Sequence, residues 1–314
     1  MKTPYNLVFK PQELVYANPV EKLPEWCRFP ISFAERCQYY RLRDMEIVSQ
    51  QIHCSPFYID MFEIRANNPM YLRFKIPRRQ LFLYFMLGGT LSISSGSKCP
   101  VTQVHANTFA MLYYGSGQYM AHTGKGHHPV LFVNMAPEWL ENISTDFPGL
   151  QFILEKFRYS PRPYHLMHPC RIDRRVQRWL YKVYSYSRNN MGALDGNLRK
   201  YLSYILGYYN SVLGPQYHKL AYRVKMYLDD HYRSSLLNAR FLALQFQVTE
   251  RTLRNHFKRE YGITPHEYYS KLRITDAIAQ MEHSNLSAKD VYVSVGYNDE
   301  RSFRYALSRY LKNR

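Results

Sequence analysis

Two stretches of this chain place guanidinium groups one helical turn apart. Residues 249–257 read TERTLRNHF, and residues 299–307 read DERSFRYAL, a repeat fifty residues further on. Each copy opens on a residue whose side-chain oxygen caps helix N-termini, Thr249 and Asp299. At about 3.6 residues per turn, Arg251, Arg254, Asn255 and Lys258 share one polar face of the first copy. Leu253 and Phe257 fall on the opposite face, four residues apart. In the second copy Arg301, Arg304 and Tyr305 take the outer face, and Phe303 and Leu307 the inner one. The chemistry such faces offer is recognition. An Arg fork donates two hydrogen bonds to guanine O6 and N7, so an apolar-backed, Arg-fronted helix fits a DNA major groove. A solvated helical bundle that touches no nucleic acid is the plainer reading of the same faces.

Bond-making chemistry has less to work with. The sequence shows no Ser/His/Asp set, no glycine-rich phosphate loop and no paired acids at catalytic spacing, so no catalytic residue is expected. Gly115-Ser116-Gly117 and Gly124-Lys125-Gly126 lack a following helix start and read as turns. His105, His122, His127 and His128 lie in a strand-rich stretch. They lack the close His-x-His with a following Glu that brings ligands onto one metal, so they read as exposed turn residues, with no metal or cofactor expected. Five scattered cysteines with no CxxC pair point to reduced thiols in a cytoplasm. The 30 Tyr and 17 Phe admit a ring-stacking pocket, but read first as core and surface.

The neighbouring residues supply the elements that hold the two Arg faces. Phe241 to Leu244 form a short helix with small Ala243 where a second helix packs closely, and residues 245–248 form a turn. In the second copy Gly296 supplies the sharp turn, since glycine takes positive φ without a steric cost. Between the copies, residues 266–281 read as one helix of about 24 Å. Its apolar residues keep to no narrow stripe, as expected for a helix buried on two sides and bridging two small bundles.

With these residues in place, the last hundred residues resemble the DNA-binding domain of the AraC/XylS family of transcription regulators. The matching elements are Leu242-Ala243, the run TERTLRNHFKREYGITPHEY, Leu272-Arg273 with Ala277, and Gly296-Tyr297-Asn298-Asp299 leading to Phe303. The resemblance implies two helix-turn-helix units joined by a long helix, with both recognition helices in successive major-groove segments. By position it implies base reading by Arg251, Arg254, Asn255, Arg301, Arg304 and Tyr305. Phosphate contacts are expected from Lys258, Thr252, Ser302 and Lys312, and helix capping from Thr249 and Asp299. Two departures stand out. Tyr292 occupies a place usually held by a small residue. The Gly262-Ile263-Thr264-Pro265 segment of the first unit has no counterpart after the second.

The formal net charge of +18 invites a polyanionic partner but does not locate it. Residues 215–314 hold 17 Lys and Arg against 10 Asp and Glu, little denser than the rest. Before them, short strands at roughly ten-residue spacing (residues 71–76, 81–87, 108–114 and 130–135) suggest a barrel or sandwich. From Ile172 the period turns helical. Val176, Trp179, Leu180 and Val183 make one stripe, Leu194, Leu198, Leu202, Ile205 and Tyr209 another, expected as an antiparallel pair. Arg171, Arg174, Arg175 and Arg178 crowd the first of these helices. An acidic partner or phosphate contact is one reading, and a solvated face is the simpler one. Gly214-Pro215 then punctuates the chain before a helix over residues 217–231.

The fold class expected is α+β: a cupin-like, β-rich effector domain over residues 1–165, a helical pair with a dimer role over 166–214, and an all-α double helix-turn-helix domain over 215–314. The family resemblance implies double-stranded DNA, a small-molecule effector, a homodimer contact and RNA polymerase as partners. No signal peptide and no membrane span are expected, which fits a cytoplasmic regulator. The competing readings are a sequence-indifferent DNA binder and a barrel-domain enzyme.

Overall fold

The computed structural model describes residues 3–10, 13–20, 22–95, 100–160, 162–184, 191–284 and 286–312. The chain divides into two compact units, Met1–Leu213 and Gly214–Arg314.

The first unit is built on strands: β1 (Asn6–Val8), β2 (Leu14–Pro19), β3 (Arg36–Leu42), β4 (Met45–Cys54), β5 (Phe57–Ala66), β6 (Met70–Ile76) and β7 (Gln80–Met86). There follow β8 (Thr90–Ser95), β9 (Pro100–His105), β10 (Thr108–Tyr114), β11 (Gly117–Thr123) and β12 (Gly126–Met135). Helices α1 (Pro137–Ser144) and α2 (Pro148–Tyr159) precede the short β13 (Tyr164–Leu166) and β14 (Cys170–Arg171), then α3 (Arg174–Tyr184) and α4 (Met191–His218). One sheet runs β1-β6-β11-β8-β9, and the other runs β13-β10-β7-β12-β5-β4-β3-β2, with β14 also pairing β10. Neither path closes on itself among the described residues. Of the barrel and the sandwich that strand spacing admitted, two open sheets correspond to the sandwich, and the closed, cupin-like barrel implied by the resemblance is not formed by the described strands. The outer edge of β10 is taken by β13 and β14. At the far edge β2 ends on Pro19, whose missing amide suits a strand with no further neighbour.

Strand alternation sets the layers. Phe74 of β6 meets Tyr114 of β10 with ring centroids 5.8 Å apart, so the two sheets face each other across aromatic side chains. The opposite face of the larger sheet carries helices. Phe57 packs on Trp139 of α1, Tyr113 on Phe157 of α2, and Phe109 on Tyr209 of α4. Strand β7 is thus covered on both faces, which accounts for its unbroken apolar run and the burial of Leu81 through Met86. Trp179 lies against Tyr204, and the Arg175 guanidinium over Tyr208, so α3 and α4 run antiparallel.

Several details depart from the sequence reading. The first fifty residues hold three strands and the start of a fourth, with Pro24 and Pro30 in the loops between them. Helices α1 and α2 were not anticipated, although both carry Pro in their first turn, where a missing amide costs nothing. His127, His128 and Pro129 lie inside β12 rather than in an exposed turn. Pro129 is tolerated there because β7 pairs with β12 only from Val130 onward. His128 is buried. Its Nδ1 accepts from the Thr90 amide at 3.1 Å, and its Nε2 lies 2.9 Å from the Gly124 carbonyl. Gly214 and Pro215 do not interrupt the helix; α4 continues to His218. Cys27, Cys37, Cys54 and Cys170 form no disulfide among the described residues, and Cys99 lies outside them.

A buried carboxyl marks the inter-sheet layer. Asp60 accepts hydrogen bonds from Tyr5 Oη at 2.6 Å, Tyr58 Oη at 3.2 Å and Ser49 Oγ at 2.8 Å. Burial outweighs these bonds and raises its pKa to about 6, above the unfolded value near 4. The folded chain therefore holds this proton where the unfolded chain has lost it, so the contribution weakens as pH rises from about 4 to about 6. A shift of about two units corresponds to about 3 kcal/mol. In urea unfolding followed by circular dichroism, Asp60→Asn should gain on the parent by about that amount between pH 4 and pH 6.5, then level off.

Candidate nucleic-acid interface

Past α4, the second unit contains α5 (Leu220–His231), α6 (Ala239–Gln245), α7 (Glu250–Tyr261), α8 (Pro265–Ser284), α9 (Ala288–Val291) and α10 (Glu300–Lys312). Asn238 caps α6, its side chain accepting from the Phe241 amide at 2.8 Å. The following turn passes through Gln247 in the left-handed region (φ 54°), which lets the Val248 amide reach the Ala243 carbonyl at 3.0 Å. Thr249 then caps α7 by accepting from the Thr252 amide at 3.1 Å. At the far end Gly262 takes φ 75°, and its amide bonds to the Lys258 carbonyl at 2.8 Å. Leu253 and Phe257 enter a core with Val224, Leu228, Leu242 and Tyr269. Arg251, Arg254, Asn255 and Lys258 are left exposed on the other face, as the helical spacing requires. Thr252 is half-buried, its Oγ1 2.9 Å from that of Thr249.

The second copy repeats the plan with less cover. Ser287 and Asp290 form a capping box at α9. Asp299 caps α10 by accepting from the Ser302 amide at 2.7 Å, and that bond holds its carboxyl below the usual range, ionised at neutral pH. Phe303 is fully buried against Tyr297. Leu307, expected inside, is only half-buried. It borders an open groove with Ala288, Ser308 and Leu311, over which no described element closes. Arg301, Ser302, Arg304, Tyr305 and Lys312 are exposed. Arg304 is held one turn back, its Nε 2.6 Å from Glu300 Oε1. Tyr292 is half-buried beside buried Val291.

Helix α8 joins the two copies. Thr264 and Glu267 cap its start reciprocally, with the Thr264 amide donating to Glu267 Oε2 at 2.7 Å and the Glu267 amide donating to Thr264 Oγ1 at 3.2 Å. Its twenty residues span about 30 Å, longer than the sequence suggested. Arg273, near its middle, is only 6% exposed. Its guanidinium donates to the Tyr232 carbonyl at 2.6 Å and the Ser234 carbonyl at 2.7 Å. It also lies over Tyr269 on one side and Tyr297 on the other, at 4.8 and 5.3 Å from the ring centroids. Three residues on, Asp276 accepts from Tyr232 Oη at 2.9 Å and from Arg233 at 2.7 Å. This fastening of α8 was not anticipated, and its signal was an Arg next to the apolar Leu272 and Ile274. Gly296 completes it. At φ 96°, a Cβ there would lie 2.5 Å from the Arg233 carbonyl oxygen and 3.1 Å from the Arg273 guanidinium carbon.

A capped helix with an apolar back and a cationic front, set across a short turn from a preceding helix and built twice on one bridging helix, defines a tandem helix-turn-helix unit. A family described as a helix-turn-helix domain matches residues 242–313, and this C-terminal segment is a helix-turn-helix domain of the AraC type. Over 83 residues the chain is 32% identical to the HTH-type transcriptional activator RhaS of Escherichia coli, and equally to that of Shigella boydii serotype 18. Those matches cover 26% of this chain and 30% of each relative, so the chain spans less than a third of the length of its curated relatives. Among solved structures, the AraC-like transcriptional activator CuxR is 11% identical, with 75% of this chain and 82% of that chain covered at a TM-score of 0.34. ToxT from Vibrio cholerae is also 11% identical, with 81% and 94% covered at a TM-score of 0.34. Among the described residues, no three His, Cys, Asp or Glu side chains gather as metal ligands. No described helix is long and apolar enough to cross a membrane.

Two substitutions test the fastening. Arg273→Met leaves two half-buried carbonyls without this partner and should destabilise the second unit by about 2–4 kcal/mol in urea unfolding. Gly262→Ala meets only its left-handed backbone, with no atom within 4 Å of the added Cβ, and should cost about 1–2 kcal/mol. Gly296→Ala carries the same backbone cost and an overlap besides, so its thermal midpoint should fall clearly further than that of Gly262→Ala.

Proposed function

We propose that the chain is a transcription regulator that reads two successive major-groove segments of double-stranded DNA with α7 and α10. The observation that carries this reading is the pair of capped helices, one with Leu253 and Phe257 and the other with Phe303 in the core, and both with Arg side chains in solvent. Arg251, Arg254 and Asn255 read base edges from α7, and Arg301, Arg304 and Tyr305 from α10. Lys258, Thr252, Ser302 and Lys312 hold phosphates and set the register. The resemblance to transcriptional activators over the C-terminal segment supports the class of function.

The β-rich unit supplies the regulatory input in this proposal. Between its sheets lies an apolar cavity of about 60 Å³ lined by Tyr5, Phe62, Phe74, Phe82, Tyr114 and Phe132. It must widen to take a small apolar effector, and that widening is the step an effector would drive. Homodimerisation through α3 and α4, and contact with RNA polymerase in the cytoplasm, complete the proposed regulator.

Binding measured by fluorescence anisotropy against a selected operator and against random duplex tests the base-reading roles. Arg254→Ala should weaken operator binding about tenfold or more, at about 1–3 kcal/mol per bidentate contact, and leave random-duplex binding nearly unchanged. Equal losses on both would reassign Arg254 to a phosphate. Lys258→Ala should weaken both alike and lower the slope of log affinity against log salt by about one. If random DNA competes as well as any selected site, the chain is a sequence-indifferent DNA binder.

A further inference from the structure

Helix α3 carries four cations and no acid in eleven residues. They divide by environment. Arg175 is neutralised, its Nε 3.5 Å from Asp173 Oδ2 and its guanidinium stacked over Tyr208 of α4 at 4.7 Å. Arg174, Arg178 and Lys182, at successive four-residue steps, are exposed and line a groove that Arg175 does not line. Among the described residues none of these three pairs with a carboxylate. The Arg178 Nε contact is to the backbone carbonyl of Arg174, at 3.4 Å. Like charges four residues apart weaken a helix, and cations near a helix N-terminus oppose its dipole. Nothing in the helix repays this row, whereas Arg175 is repaid by Asp173.

The row borders a groove of about 1110 Å³ whose other walls are mostly apolar and aromatic, with Phe29, Leu87, Ile172 and Tyr184 beside the polar Asn107 and Gln177. Tyr181, also on its rim, is 55% exposed. We propose that this groove docks an acidic, apolar-anchored peptide segment of another protein. Three cations about 6 Å apart along the helix match carboxylates one turn apart on a facing segment. The apolar walls take its intervening aliphatic or aromatic side chains. The groove is open and larger than the usual 300–1,000 Å³ of a small-molecule pocket, which favours a segment over a small enclosed ligand. A DNA duplex offers phosphates but no side chain for those walls. A second copy offers this row no acid from its own α3, so the dimer contact proposed above uses the other faces of α3 and α4.

A fluorescein-labelled sixteen-residue peptide, with Glu at every fourth position and Leu and Phe between, is the probe, titrated with the full chain at two salt concentrations. Combined Arg174→Gln, Arg178→Gln and Lys182→Gln changes should weaken binding at least tenfold. Arg175→Gln, an equal change of charge on the same helix, should alter it less than twofold. Replacing the peptide's Leu and Phe by Ser should also cost at least tenfold. If the triple variant does not melt like the parent, Arg178→Gln alone should weaken binding about threefold. The inference is overturned if the substituted protein binds as the parent does, if the Ser peptide binds equally well, or if Arg175→Gln is as harmful as Arg178→Gln. It is also overturned if affinity for a twenty-base-pair duplex falls with the triple variant as far as peptide affinity does, since the row would then belong to DNA.

Discussion

The second unit depends on one buried cation. Arg273 sits inside α8 where its neighbours on the buried side are Tyr269, Ile274 and Ala277. A guanidinium so placed is costly unless its donors are used. Here they are used by two carbonyls just past the end of α5, where a helix exposes unsatisfied acceptors and the negative end of its dipole. The same group lies over the rings of Tyr269 in the bridging helix and Tyr297 in the turn of the second copy. One side chain therefore ties α5, the bridging helix and the second turn together. Gly296 is required beside it, because any side chain there would displace either the Arg233 carbonyl or the guanidinium.

That fastening is not shared evenly between the copies. The first has a closed core, with Phe257 against Tyr261 and Tyr268 and a further buried set of Lys225, Asp229 and Tyr268. The second relies on Phe303, Tyr297 and short α9, while Leu307 is half-covered and Leu311 is 51% exposed. Local stability follows buried apolar contact. Helix α7 is thus the firmer of the two, and α10 is the less firmly packed.

Much of this second unit was legible in the chain. The caps Thr249 and Asp299, the burial of Leu253, Phe257 and Phe303, and the exposure of the Arg faces all follow from local spacing, which a sequence displays directly. Leu307 was misjudged for the opposite reason. Its position on the inner face is local, but whether anything covers that face is a tertiary matter. The first unit was read more coarsely. The continuous apolar β7 and the alternating β6 were visible, but β1 to β4 fall largely in the first fifty residues, whose prolines rule out a long helix without marking where strands run. Open sheets and a closed barrel share the same strand pattern, and only the pairing partners separate them. Arg273 was quoted within a motif without its role, because its partners Tyr232, Ser234 and Tyr297 are far from it in sequence.

The Glu300–Arg304 pair has a consequence for how the second helix meets a charged ligand. An exposed pair of this kind is worth up to about 1 kcal/mol, and ions in solution screen it. Arg304 must leave Glu300 before it reaches anything outside, and added electrolyte makes that departure easier while it weakens every outside attraction. The two effects oppose each other at this one residue. The grip of α10 would therefore fade more gently with ionic strength than its count of positive charges suggests, whereas in α7 Glu250 stands in the same place before Arg254 without an ion pair between them among the described residues.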